Sequence, residues 1–169
     1  MWQVWVFLAP LCPICQDYTH YLNELEASWT AAYGEQVEMT GWFPDPQVTA
    51  EQVDAFGERY GVYWRLALDT VGWADALGAR WTPEAFVVSP SGQIAYRGRV
   101  NDLYYALGKH RPAPRHRDLA LAIEQAMEGQ EILPDKTDAI GCPIERRYPF
   151  RDSLAVQLIP GFERPSIMD

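Results

Sequence analysis

The chain has 169 residues, 48% hydrophobic and 22% charged, a balance that fits one folded domain and excludes a disordered, collagen-like or coiled-coil chain. Fourteen Lys and Arg against 23 Asp and Glu leave a net charge of −9, which repels phosphate backbones and anionic headgroups, so no nucleic-acid partner is expected. The longest apolar run, around Val4 to Pro10, is too short to cross a bilayer and lacks the basic start and cleavage site of a leader, so neither membrane insertion nor a targeting segment is expected in this sequence.

The run Trp2 to Leu8 is dense in aromatic and β-branched residues and stops at Ala9-Pro10, which predicts a central strand buried on both faces. Tyr18, Tyr21, Leu22, Leu25, Trp29 and Ala32 then recur at spacings of three and four, predicting an amphipathic helix from near Cys12 to Gly34. Val37 to Phe43 reads as a second strand, and Thr49 to Gln52 as a capping box opening a helix with Val53, Phe56 and Tyr60 on its inner face. Leu66 to Leu68 reads as a short strand, followed by a helix over Val71 to Leu77 capped by Asp69 or Thr70. This alternation predicts an α/β fold with parallel strands. Ala85 to Val88 and Ile94 to Tyr96, joined by Pro90-Ser91-Gly92, predict an antiparallel hairpin. After a polar stretch from Asn101 to Arg117, Leu119, Ala122, Ile123 and Ala126 define a closing helix that ends at Gly129. From Gln130 onward the periodicity fades, and an irregular tail is expected to wrap the domain.

Three cysteines are too few, and odd in number, for a disulfide framework. Cys12 and Cys15 enclose Pro13 and Ile14 directly after a strand and at the start of a helix. There, unpaired backbone N–H groups and the positive end of the helix dipole favour a thiolate at Cys12, and Cys15 lies one turn in on the same side. Thiol–disulfide exchange is the leading reading; a zinc half-site and two inert packing cysteines are the alternatives. A structural zinc site takes a full tetrahedral ligand set, and only Cys142 and three scattered histidines remain.

The order strand, Cys-x-x-Cys, helix, strand, helix, strand, helix, then Thr82-Pro83, hairpin and last helix resembles the thioredoxin fold. Phe7 to Cys15 is similar to the active-site segment of thioredoxin-like and redoxin (AhpC/TSA-type) domains. Thr82 to Val88, Gly92, Tyr96 to Arg99, Asp102, Asp118-Leu119, Gly129 and Gly141 to Ile144 resemble their second half, including a subfamily that ends in Gly-Cys-x-Ile. The resemblance spans about residues 2 to 147. It implies a thioredoxin-like redoxin domain over 1–147, with a central mixed sheet flanked by helices, and an irregular tail over 148–169. It further implies a thiol–disulfide oxidoreductase in which Cys12 attacks and Cys15 resolves. Pro83 would be a cis-proline beside the pair, with Thr82 offering backbone hydrogen bonds to substrate and Trp81 bordering the groove; Trp42 is a second aromatic to watch. The implied partners are a protein disulfide or dithiol and a redox partner protein, without a cofactor or resident metal. By analogy with exported redoxins, the implied location is the bacterial periplasm.

This sequence departs from thioredoxins in having Leu11 before the pair and Pro-Ile within it, which leaves the redox potential open. It departs from peroxiredoxins in having Trp5 and Ala9 where their peroxidatic site has Pro and Thr or Ser, so a peroxidase is disfavoured. Glu38 is the positional candidate for the buried carboxylate that assists the second cysteine of thioredoxins, although an exposed strand carboxylate is the favoured reading. Cys142 reads as a packing residue beneath the tail, as a third redox thiol or as a metal ligand. With no helix N-terminus or second thiol near it in sequence, it is expected to be dispensable for exchange. His20 is carried away from the thiols along its helix. His110 and His116, with Arg111, Arg115 and Arg117, form a basic island that reads as a solvated loop or as a dock for an acidic partner. The rival function is a soft-metal module that binds Cu(I) through the same thiols and passes it on.

Overall fold

The computed structural model describes residues 1–145. Strand β1 (Trp2–Phe7) runs parallel to β2 (Val37–Phe43), which in turn is parallel to β3 (Arg65–Leu68). On its other side β1 pairs antiparallel with β5 (Glu84–Val88), which forms a hairpin with β6 (Ile94–Gly98). The sheet order is therefore β3-β2-β1-β5-β6, a mixed sheet with β1 at its centre.

Side chains alternate between the two faces of β1. Val4, Val6 and Leu8 pack with Tyr18, Leu22, Leu25 and Trp29 of α1 (Pro13–Tyr33), Val53 and Phe56 of α2 (Ala50–Tyr60), and Leu119 and Ile123 of α4 (Asp118–Met127). Trp5 and Phe7 pack on the other face with Phe86, Val88, and Trp73, Ala74 and Leu77 of α3 (Trp73–Leu77). Trp42 completes an aromatic stack there with Trp5 and Trp73, which marks it as a sheet-face residue.

Helix α2 opens on the capping box, Thr49 and Gln52 bonding reciprocally at 3.2 and 2.9 Å. Helix α3 is shorter than the periodicity predicts because its N-cap position is Gly72. The Asp69 carboxylate reaches forward and accepts from the N–H groups of Gly72, Trp73 and Ala74 at 2.7 to 2.9 Å. The polar stretch after Asn101 holds a small antiparallel ribbon, β7 (Tyr104–Ala106) and β8 (Lys109–His110).

The segment after α4 is docked rather than loosely wrapped. The Arg97 N–H donates to the Asp135 carbonyl at 2.9 Å, and the Thr137 N–H to the Arg97 carbonyl at 3.0 Å. The Thr137 hydroxyl also meets the Tyr96 hydroxyl and accepts from the Arg99 N–H. Gly98, at φ +145°, makes room for it: a Cβ there would lie 2.2 Å from Thr137 Oγ1. The chain then returns to pair β9 (Cys142–Pro143) antiparallel with β4 (Trp81–Thr82). The tail expected over 148–169 lies outside the described residues. Among the described residues, no helix is long and apolar enough to cross a membrane.

Candidate active site

The site forms at the C-terminal end of β1, where the chain turns into α1. Cys12 is the N-cap residue of α1 with extended backbone, Pro13 opens the helix where its missing N–H costs nothing, and the Cys15 N–H points back at Cys12 Sγ at 3.5 Å. The turn is held by the Cys12 N–H donating to the Ala9 carbonyl and by the Gln16 amide donating to the Pro10 carbonyl.

Both thiols are buried, Cys12 at 3% exposure and Cys15 at 0%. Their chemistry nonetheless diverges. The hydrogen bond from the Cys15 thiol, aided by the Cys142 thiol and the Cys15 N–H, outweighs burial and holds Cys12 at about 5, far below its ordinary value of 9.0. Burial first, and the Cys12 thiolate second, push Cys15 well up. The pair is therefore one thiolate and one thiol at neutral pH, the division of labour that exchange requires.

The Thr82–Pro83 peptide bond is cis, and the Thr82 carbonyl lies 3.2 Å from Cys12 Sγ. Thr82 and Pro83 thus meet the cysteine pair across 70 residues of sequence, with half-buried Trp81 beside them in β4. The loop is braced by Glu84, whose carboxylate accepts from the N–H groups of Arg80 and Trp81 at 2.6 and 3.2 Å and pairs with Arg97 at 3.0 Å. Arg97 in turn donates to the Leu77 and Gly78 carbonyls at the end of α3 and lies over the Phe86 ring. Glu84, which follows the cis-proline and faces Phe7 of β1, is the buried carboxylate of this region. Glu38 is half-buried and pairs with Gln3 at the far end of β1, so it is not placed to act at the thiols.

Tyr104 borders the site from β7. Its hydroxyl donates to Asp17, and it lines a small recess with Tyr18, Pro83, Val100, Asn101 and Ile140. Burial, with Asp17 next, pushes the Tyr104 hydroxyl up to about 12; the charge on Cys12 adds to the shift. Leu11, next to Cys12, is 89% exposed and offers bare apolar surface at the rim.

The expectation for Cys142 rests on there being no second thiol near it, and the structure corrects that premise. Its Sγ lies 2.8 Å from Cys12 Sγ, because the β4–β9 pairing sets Cys142 opposite Thr82. Burial first, and contact with the Cys12 thiolate second, push Cys142 up to about 12. A second thiol therefore does lie beside it, supplied by the fold and invisible in local sequence.

His20 is exposed and meets Glu24 at 3.2 Å. In the basic island, the Asp102 carboxylate accepts from the N–H groups of Arg115 and His116 and pairs with Arg111 at 3.4 Å, while Arg117 reaches Glu124. Among the described residues, no group of three or more His, Cys, Asp or Glu side chains is arranged to hold a metal ion.

A mixed sheet flanked by helices, with its cysteine pair at the β1–α1 junction, defines a thioredoxin-like fold. No protein-family profile matches the chain, and no curated protein matches it significantly. Among solved structures it is similar to a hypothetical protein from Sinorhizobium meliloti 1021, with TM-score 0.74 and 21% identity over 88% of this chain and 81% of that one. It is also similar to an uncharacterized thioredoxin-like protein from Porphyromonas gingivalis, with TM-score 0.52 and 21% identity over 75% and 74% of the two chains. A third similarity is to a Chlorobium tepidum protein provisionally named the thiol:disulfide interchange protein DsbE, with TM-score 0.52 and 17% identity over 76% and 78%.

Proposed function

We propose that this protein is a thiol–disulfide oxidoreductase acting on protein substrates through the Cys12-Pro13-Ile14-Cys15 pair. The observation that carries the reading is the asymmetry of the two thiols: Cys12 caps α1 and is held at about 5, while Cys15, one turn in and fully buried, is kept protonated. The Cys12 thiolate attacks a substrate sulfur, forming a mixed disulfide and releasing the other substrate sulfur as a thiolate, which takes up a proton. The Cys15 thiol then loses its proton and attacks Cys12 Sγ, closing Cys12–Cys15 and releasing the second substrate thiol. Substrate backbone would lie along Thr82 and Pro83 in place of β9, with Trp81 and the exposed Leu11 as apolar contacts. The Chlorobium protein's name is in keeping with this chemistry. The extracytoplasmic location belongs to the same reading and rests on the redoxin resemblance alone.

The test is reduction of a protein disulfide by the reduced chain, with Cys12→Ser and Cys15→Ser beside wild type. Cys12→Ser is expected to abolish turnover and to form no adduct with substrate, and Cys15→Ser to abolish turnover of the Cys12–Cys15 couple. Wild type that reduces no disulfide but binds Cu(I) stoichiometrically would move the soft-metal reading ahead.

A further inference from the structure

Cys142 is held at the site by a chain of contacts that would be superfluous for a packing residue. Upstream, Thr137 is locked against Gly98 and Arg99; downstream, the Ile144 N–H donates to the Arg80 carbonyl at 3.0 Å. Between them, the Thr82 hydroxyl donates to the Cys142 carbonyl at 3.3 Å. Gly141 lets the strand come this close, since a Cβ there would lie 2.2 Å from the Thr82 carbonyl oxygen and 3.1 Å from Pro83 N. The segment thus occupies the edge of β4, which the proposed function reserves for substrate backbone, and it presents a sulfur to Cys12 at 2.8 Å. Cys12 and Cys15 are buried, whereas Cys142 is half-buried and so is the most accessible residue of the three.

We propose that Cys142 is a third redox thiol, carried on a built-in strand that mimics substrate, and that it forms a Cys12–Cys142 disulfide as an alternative to Cys12–Cys15. This rests on the reading of Cys12 as the attacking thiolate. An external disulfide R–S–S–R is first opened by Cys12, forming Cys12–S–S–R and releasing RS⁻, which takes up a proton from solvent. The Cys142 thiol then gives up its proton and attacks Cys12 Sγ. The Cys12–Cys142 bond forms, the bond from Cys12 to the R sulfur breaks, and the second RSH leaves carrying that proton. Two protein thiols have become one disulfide, and the external disulfide has been reduced to two thiols. Attack by Cys15 on Cys12 then moves the bridge to Cys12–Cys15 and returns Cys142 to its thiol form. The low pKa of Cys12 makes it a good leaving group, so a solvent-borne thiolate that attacks Cys142 Sγ also expels Cys12 readily. Half-buried Cys142 gives partners a way to reach a couple whose other members are buried.

The experiment uses glutathione disulfide as oxidant on the full chain and reads intact mass and linked peptides. In Cys15→Ser, the glutathione adduct on Cys12 is expected to be replaced by a Cys12–Cys142 linked peptide. In Cys15→Ser/Cys142→Ser, one glutathione per chain is expected to persist on Cys12, at least about tenfold longer than in the single variant. An adduct that lasts as long in Cys15→Ser as in the double variant, with no linked peptide, overturns the proposal. A double variant that takes up no glutathione at Cys12 overturns the proposed nucleophile itself, and the proposal with it. Cys142→Ala replaces Cys142→Ser if the hydroxyl is not tolerated, and the linked peptide in Cys15→Ser requires no change at Cys142.

Discussion

The depressed pKa of Cys12 makes a quantitative prediction about how the redox couple responds to pH. The folded-state value of about 5 lies below the ordinary value of 9.0 that the unfolded chain has. The thiolate therefore stabilises the reduced fold fully above pH 9, and this contribution is lost as pH falls through 5. At pH 7, two of the four units are in play, about 3 kcal/mol at 1.36 kcal/mol per unit; at pH 5 less than about 1 kcal/mol remains. Cys15 and Cys142 are both raised in the fold and keep the ordinary 9.0 when unfolded, so below about pH 8 they stay protonated in both states and contribute nothing to the slope. A disulfide has no thiolate, so the stabilisation belongs to the reduced form alone and makes the couple about 60 mV more oxidising at pH 7 than with an unperturbed thiol. Reduction between pH 5 and 9 takes up one proton for two electrons, which predicts a potential that falls by about 30 mV per pH unit, steepening to about 59 mV below pH 5. The assay is equilibration against glutathione or dithiothreitol buffers at successive pH values, alongside thiolate absorbance of the reduced protein. A slope near 59 mV per unit between pH 6 and 8, or a thiolate signal appearing only above pH 8, would refute the assignment.

Gly141→Ala puts a Cβ into the Thr82 carbonyl, so β9 should lift from β4 and Cys12 should lose the Cys142 hydrogen bond; a hydrogen bond to a charged group is worth about 1.5–3 kcal/mol, so thiolate absorbance should show the Cys12 pKa rising by about one to two units. Glu84→Gln leaves Arg97 partly uncompensated beneath the cis-proline loop and should cost about 3 kcal/mol in urea unfolding, whereas Glu38→Gln, at a half-buried position at the far sheet end away from the thiols, should cost under about 0.5 kcal/mol. Leu11→Asp should raise KM for protein disulfides several-fold and leave turnover of glutathione disulfide unchanged, as kinetics with both substrates will show; equal loss on both would place Leu11 in the fold rather than at the rim.

What the sequence made legible follows the range of each signal. β1, α1, the Thr49–Gln52 capping box and the β5–β6 hairpin are written in adjacent residues, and each was recoverable from spacing and turn chemistry. The cap of α3 was half legible, since Asp69 was named but its reach across Gly72 to three N–H groups shortens the helix. β4 and β9 have two residues each and lie 60 positions apart, so they carry no periodicity at all. The closeness of Cys142 to Cys12 is hidden for the same reason: it is fixed by Gly98, Thr137 and Gly141, three small residues whose meaning is steric and long-range. Glu84 was missed because a carboxylate in a strand signals exposure until Arg97, thirteen residues on, is seen to meet it.

The docking of residues 135–137 along β6 also bears on how the molecule behaves at high concentration. β6 is one of the two outer strands of the sheet, and an outer strand left bare invites pairing with a second molecule. Here its outward backbone groups at Arg97 are taken by Asp135 and Thr137 of the same chain. The opposite outer strand, β3, has only four residues and begins with an exposed Arg65, which gives a neighbouring strand little to align with. The segment that brings a third sulfur to Cys12 thus also shields the sheet from self-association, so shortening the chain before residue 135 would remove a thiol and uncover an adhesive margin in one step.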